Sequence, residues 1–245
     1  MLSFLPKVPP PPPSRYTVDA ECQVENLPEM YKAIFGLRRS GYFVEVGAMD
    51  GQSHSNTCGL ADVGWHGLYI EATEQYSRKC WERHSKNKVQ VLRRAISDHT
   101  GTLRLHRANA LTTADALTED AYAQMEWSRG SLHHEYEDVP CTTLDKTLEE
   151  YRTPQGFDLL VIDVEGHEQQ VLDGFSFDKW RPKMILIEIQ DEHPDFLALP
   201  NADEFLVRFK RIRSAIESAG YFLIYKNMIN SVYVRQTTLS ASGGT

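Results

Sequence analysis

The chain has 245 residues, 41% hydrophobic and 24% charged, and a formal net charge of −8. That suits one globular domain with a substantial core. Nucleic acid is not an expected partner for so acidic a chain, and no run is long and apolar enough to span a bilayer.

Residues 1–18 read as a proline-rich arm. Pro9 to Pro13 is an unbroken run, expected as a stiff polyproline II segment outside the core, serving as a spacer or as a docking site for a protein partner. The arm carries Lys7 and Arg15 and no acid, which leaves an organellar presequence open beside a cytoplasmic location. The four cysteines, Cys22, Cys58, Cys80 and Cys141, form no C-x-x-C pair, so neither a zinc site nor a disulfide framework is indicated and a reducing compartment is expected. The globular domain is expected over 19–237, with a flexible tail at 238–245.

Within the domain, short apolar runs alternate with helical segments. Strands are expected at 42–46, 68–71, 89–95, 159–163 and 184–189, and helices at 28–37, 76–84, 144–151, 168–172 and 202–219. Strands that are apolar on both faces fit a sheet covered by helices on both sides, an α/β fold. Gly101 marks a turn before an extended stretch at 102–106. Segment 107–138 is polar and reads either as a helix or ordered loop over the active face, or as a mobile surface excursion. The basic runs from Arg78 to Arg94 and from Arg208 to Arg213 read as solvated helix faces. Residues 221–225 and 231–234 flank a short turn and predict an antiparallel hairpin.

The first chemical motif is FVEVGAMDGQSHSNT, from Phe43 to Thr57. A strand ends in Glu45 and runs into a turn carrying Gly47 and Gly51, where ligands of open α/β sheets bind. The pattern E-x-G-x-x-x-G lacks the G-x-G-x-x-G spacing that admits a pyrophosphate. A carboxylate at the turn repels phosphate and accepts hydrogen bonds from an ammonium group. This favours a zwitterion, such as the methionine part of S-adenosylmethionine, over NAD. Glu71, followed by Ala72, ends the second strand at the interval expected for a ribose-binding carboxylate. After the third strand, Ile96 is placed to pack on an adenine ring, and Ser97 or Asp98 to take its exocyclic amine.

The second motif, FDLLVIDVEGHE from Phe157 to Glu168, delivers Asp163, Glu165, His167 and Glu168 to one strand end. Several charges buried together without partners are costly, so the cluster should face a ligand, a metal or a solvent-filled cleft. Methyl transfer to a hydroxyl needs an in-line nucleophile and a base. Asp163, Glu165 and His167 are the candidates for that chemistry. Carboxylates also suit Mg²⁺, and Glu188 adds a further acid, but no ligand spacing enforces a metal.

These segments, with GWHGLYIEA (64–72), AISDHTGTLRL (95–105) and VPCTTLD (139–145), resemble the FkbM family of S-adenosylmethionine-dependent methyltransferases over about residues 40–236. The resemblance implies a Rossmann-like class I methyltransferase fold: a seven-stranded, mostly parallel sheet with one reversed strand near its edge, supplied by the hairpin. It also implies roles. Glu45, Gly47, Ala48, Asp50 and Gly51 would line the methionine end. Ser55, Asn56 and Thr57 would bind the donor or order the loop, and Glu71 would hold the ribose. Asp163 and Glu165 would face the reaction centre. The expected activity is O-methylation of a small molecule, sugar or lipid. The competing expectation is a methyltransferase-fold subunit of a larger assembly.

Overall fold

A computed structural model describes residues 13, 15, 16, 24, 26–132 and 135–236. Pro9 to Pro12 and the tail from 237 lie outside the described residues, as does Cys22. After α1 (Leu27–Phe35) the chain alternates strand and helix: β1 (Tyr42–Val46), α2 (Cys58–Val63), β2 (His66–Glu71), α3 (Glu74–Arg83) and β3 (Lys88–Arg93). Then come β4 (Ala95–Ile96), β5 (Gly101–Arg107), α4 (Ala116–Gln124), β6 (Glu135–Thr142) and α5 (Leu144–Glu150). The last part holds β7 (Leu159–Ile162), α6 (Glu168–Asp173), α7 (Phe177–Trp180), β8 (Met184–Glu188), α8 (Pro194–Leu197), α9 (Ala202–Ser218), β9 (Tyr221–Lys226) and β10 (Asn230–Arg235).

The main sheet has seven strands in the order β3-β2-β1-β7-β8-β10-β9. β3, β2, β1, β7 and β8 pair in parallel. β10 runs antiparallel to both of its neighbours. The hairpin therefore supplies the one reversed strand, next to the edge, as the sequence predicts.

Central strands are buried on both faces because their alternate residues feed two cores. Val44, Leu160, Ile162, Ile185 and Ile187 face one core, where α9 contributes Phe205, Phe209, Ile212 and Ile216. Phe43, Leu159, Val161, Met184 and Leu186 face the other, where α1 contributes Leu27 and Tyr31. Tyr16 belongs to this second core. It packs edge-on against Tyr31 and Trp65, and its hydroxyl donates to Gly36 O at 2.6 Å. Pro13 is buried too. The chain thus meets the body inside the stretch that reads as a free arm, because Tyr16 offers an aromatic face to an aromatic cluster.

The third strand and the basic runs differ from the sequence expectation, and of the two readings of 107–138 the ordered one holds. The third strand ends at Arg93, and Ala95–Ile96 joins a second, three-stranded sheet of order β4-β6-β5. Much of the polar 107–138 segment is also regular. It supplies α4, two short 3₁₀ turns at Asn109–Leu111 and Arg129–Ser131, and the first half of β6. β6 escapes a hydrophobicity reading because its register with β5 is lined by charge pairs, Arg104–Asp138 at 2.9 Å and Arg107–Glu135 at 3.2 Å. The basic runs are not purely solvated faces either. Arg208 pairs with Asp115 at 3.0 Å, both largely buried, and Arg213 pairs with buried Asp191. Cys58, Cys80 and Cys141 are free and buried.

Candidate functional site

The carboxyl ends of β1, β2 and β7 open into one cavity. Of the residues singled out from the sequence, Glu45, Gly47, Ala48, Ser55, Glu71 and Ala72 line it from the first two strands. Ile96, Asp163, Glu165 and His167 line the rest. Asp50, Gly51, Asn56, Thr57 and Ser97 do not line it.

The β1 turn is tied to itself. Glu45 is only 3% exposed. Its Oε1 accepts from Asn56 N at 3.2 Å and its Oε2 from Ser55 Oγ at 3.1 Å and from Thr57 Oγ1. Thr57 Oγ1 also lies 3.0 Å from Tyr69 Oη. Burial still pushes the Glu45 carboxyl up to about 7, against the pull of these donors. Asp50 accepts from the backbone N–H groups of Gln52 and Ser53. Gly51 O bonds His84 Nε2 at 2.7 Å. The Ser-Asn-Thr stretch thus braces Glu45, and Asp50 braces the loop.

Gly47 has φ +89°, and a Cβ there would fall on the carbonyl oxygen of Asp163. Only glycine allows that backbone and that contact together. The turns after β1 and β7 therefore press directly on one another.

Glu71, 8% exposed, accepts from Thr73 N at 2.8 Å and Thr73 Oγ1 at 2.7 Å through Oε1, and from Met49 N at 3.0 Å through Oε2. Burial raises its pKa despite those donors. A carboxylate has room for further donors beyond these three. The far end of the cavity is apolar, walled by Ala95, Ile96, Leu103, Leu105 and Ala114. His167 sits beside this end, its Nε2 3.0 Å from Ser97 Oγ. Burial pushes its pKa down to about 4, so the ring is neutral.

The β7 turn is built differently. Among the described residues, no donor bonds the carboxylate of Asp163. Burial raises its pKa to about 6, while the charge of His54 lowers it. Glu165 has φ +53°, a left-handed backbone. It is held from the 107–138 segment: Tyr122 donates to its carboxylate, and Thr113 Oγ1 donates to its carbonyl at 2.6 Å. Arg208 Nη1 donates to Gly166 O at 3.0 Å. Glu168 turns back to accept from Val164 N and Gly166 N. Burial raises Glu168 to about 7. Burial first, and then neighbouring carboxylates, raise Glu165 and Glu188 well above the usual range.

Asp163, Glu165 and Glu188 bring carboxylate oxygens within 4.8 Å of one another. Such a set either shares protons or takes a cation. Nothing else in the site selects the cation.

Sequence reasoning missed Met49, His54 and Asn109, which line the cavity with positive φ values of 48°, 59° and 54°. Non-glycine residues in that region concentrate at functional sites, but no pattern in the letters marks them. Tyr122 was missed as well, because a tyrosine on a polar helix gives no periodic signal.

Residues 45–223 match the Methyltransferase FkbM domain. No curated protein matches the chain. Among solved structures, an O-methyltransferase from Bacillus cereus in complex with SAH is 13% identical, with TM-score 0.47, over 89% of this chain and 84% of that one. TomG from Streptomyces achromogenes, an O-methyltransferase involved in tomaymycin synthesis and solved with SAM, is 10% identical, with TM-score 0.43, over 84% and 76%. Fibrillarin from Aeropyrum pernix with bound S-adenosyl-L-methionine is 12% identical, with TM-score 0.41, over 84% and 72%.

Proposed function

The chain belongs to the Methyltransferase FkbM domain family, and from that premise we propose that its cavity binds S-adenosylmethionine and serves methyl transfer to a hydroxyl of a small molecule, sugar or lipid. The observation that carries the reading is Asp163: a carboxylate at a strand end, lining the cavity, with no hydrogen-bond donor of its own among the described residues. It suits the ammonium of a zwitterion. A pyrophosphate would be repelled at the same place, which disfavours a dinucleotide.

The remaining walls fit the parts of the donor. Glu71 keeps acceptor capacity for ribose hydroxyls. The Ala95, Ile96, Leu103 and Leu105 wall suits an adenine ring, with neutral His167 at that end. When bound, the donor supplies an electrophilic methyl on a sulfonium. The protein's part is to hold an acceptor oxygen in line and to take its proton. Glu165 is the carboxylate for that proton: burial makes it a stronger base than an exposed glutamate, and Tyr122 fixes its direction. His167, bonded to Ser97 and depressed to about 4, is a weaker base and reads better as a donor contact.

Calorimetric titration with S-adenosylmethionine and with NAD tests the reading. The expected outcome is binding of the first only. Glu71→Gln should then weaken donor binding by about 10-fold or more, the scale of a charge-assisted hydrogen bond. Binding of neither ligand would move the chain to the subunit reading, and unchanged affinity in Glu71→Gln would remove the ribose assignment.

A further inference from the structure

Glu165 stands in a left-handed backbone at φ +53°, and Gly166 follows at +95°. A glutamate in that region is strained and stays there only where its surroundings hold it. The N–H groups of the turn are held from inside, since Glu168 accepts from Val164 N and Gly166 N. The carbonyls are held from outside. Thr113 Oγ1 donates to Glu165 O, and Arg208 Nη1 donates to Gly166 O at 3.0 Å.

Arg208 reaches the turn from a rigid element. Phe205, Phe209 and Ile212, its neighbours on α9, are buried in the core. The guanidinium lies 5.4 Å from the centre of the Phe205 ring. Its second arm, Nη2, bonds both carboxylate oxygens of Asp115 at 3.0 and 3.1 Å. Asp115 in turn caps α4, accepting from Thr118 N at 2.8 Å and from Thr118 Oγ1 at 2.9 Å. A Cβ on Gly166 would lie 2.0 Å from that same Oγ1, so α4 and the turn meet as closely as a glycine allows. One guanidinium thus joins α9, the start of α4 and the β7 turn. α4 also carries Tyr122, which donates to the Glu165 carboxylate.

We propose that Arg208, together with Asp115, is a positioning residue for methyl transfer: it fixes the β7 turn on α4 so that Glu165 keeps its carboxylate on Tyr122 and in the cavity. The inference rests on the reading of Glu165 as the group that takes the acceptor's proton. Arg208 does not line the donor cavity and acts through the turn alone. A lysine is no substitute, because an ammonium lacks the fork that serves Asp115 and Gly166 O together.

The effect is read on Glu165. Its carboxyl faces Asp163, Glu168, Glu188 and Tyr122, and burial first, then the neighbouring carboxylates, hold its pKa well above the usual range. Once the turn is released, the left-handed backbone relaxes, the carboxyl gains water and its pKa falls.

NMR titration of the full chain, labelled with ¹³C at the glutamate carboxyl carbons, tests the proposal, with the Glu165 resonance assigned by Glu165→Gln. Arg208→Met combined with Asp115→Asn removes one charge of each sign, so neither partner is left buried and unpaired, and asparagine still caps α4. Arg208→Lys keeps a charge beside Asp115 and carries the test should the double variant unfold. In each folded variant the Glu165 midpoint should fall by about one pH unit or more. A lower midpoint of urea unfolding with Glu165 titrating as in wild type would make Arg208 a brace of the fold only, and would overturn the proposal. Wild-type titration at wild-type stability would overturn it equally. The readout needs neither methyl donor nor acceptor. Its failure therefore leaves the methyltransferase reading standing, and a failure to bind the donor leaves this result intact.

Discussion

The turns after β1 and β7 each follow a strand-end carboxylate beside the same cavity, Glu45 buried and Asp163 half-buried, and they use it in opposite ways. Glu45 is surrounded by donors from its own loop: Ser55, Asn56 and Thr57. Among the described residues Asp163 has none, and its neighbour Glu165 has only Tyr122 for its carboxylate. A buried carboxylate that is fully bonded braces structure, whereas one left without donors is costly unless a ligand arrives. Donors from the surrounding loop, which the letters do not reveal, separate the two acids.

The largest effect should come from the contact that joins the two turns. In Gly47→Ala the new Cβ meets Asp163 O and the backbone is held at positive φ. The loss should reach about 3 kcal/mol or more, read as a large fall in the midpoint of urea unfolding. A near-native midpoint would mean that the turns do not constrain one another.

Next is the brace itself. Thr57→Val removes a donor from Glu45 and should cost about 1–3 kcal/mol of stability. Donor affinity, measured by calorimetry, should stay close to wild type. Lost affinity at unchanged stability would make Glu45 a ligand group after all.

The smallest effect concerns pH. The folded pKa of Asp163, about 6, stands above its unfolded value near 3.9. A carboxyl raised in this way contributes stability that is complete below the unfolded value and is lost as pH rises through about 6. In the absence of donor, wild type should therefore lose melting temperature relative to Asp163→Asn between pH 4 and pH 7. Parallel curves would show that Asp163 is not strained by its charge.

Much of this architecture is legible in the letters. Strands β1, β2, β7 and β8 announce themselves as apolar runs, and the hairpin by its short polar turn. Asp163, Glu165 and Glu71 can be placed because strand ends in this kind of sheet converge. What escapes reading depends on contacts distant in sequence. β6 is concealed by cross-strand ion pairs, and Tyr16 is claimed by an aromatic cluster. Tyr122 reaches Glu165 across 43 positions. The division of labour between Glu45 and Asp163 depends on which donors fold onto each carboxylate, and spacing carries no information about that.

The most direct test of that division is a calorimetric titration of S-adenosylmethionine into Asp163→Asn at pH 7, set against wild type. Affinity should fall by about 10-fold or more, as for a lost charge-assisted bond, in a protein at least as stable as the parent. Wild-type affinity in that variant would contradict it, and would return the ammonium to Glu45.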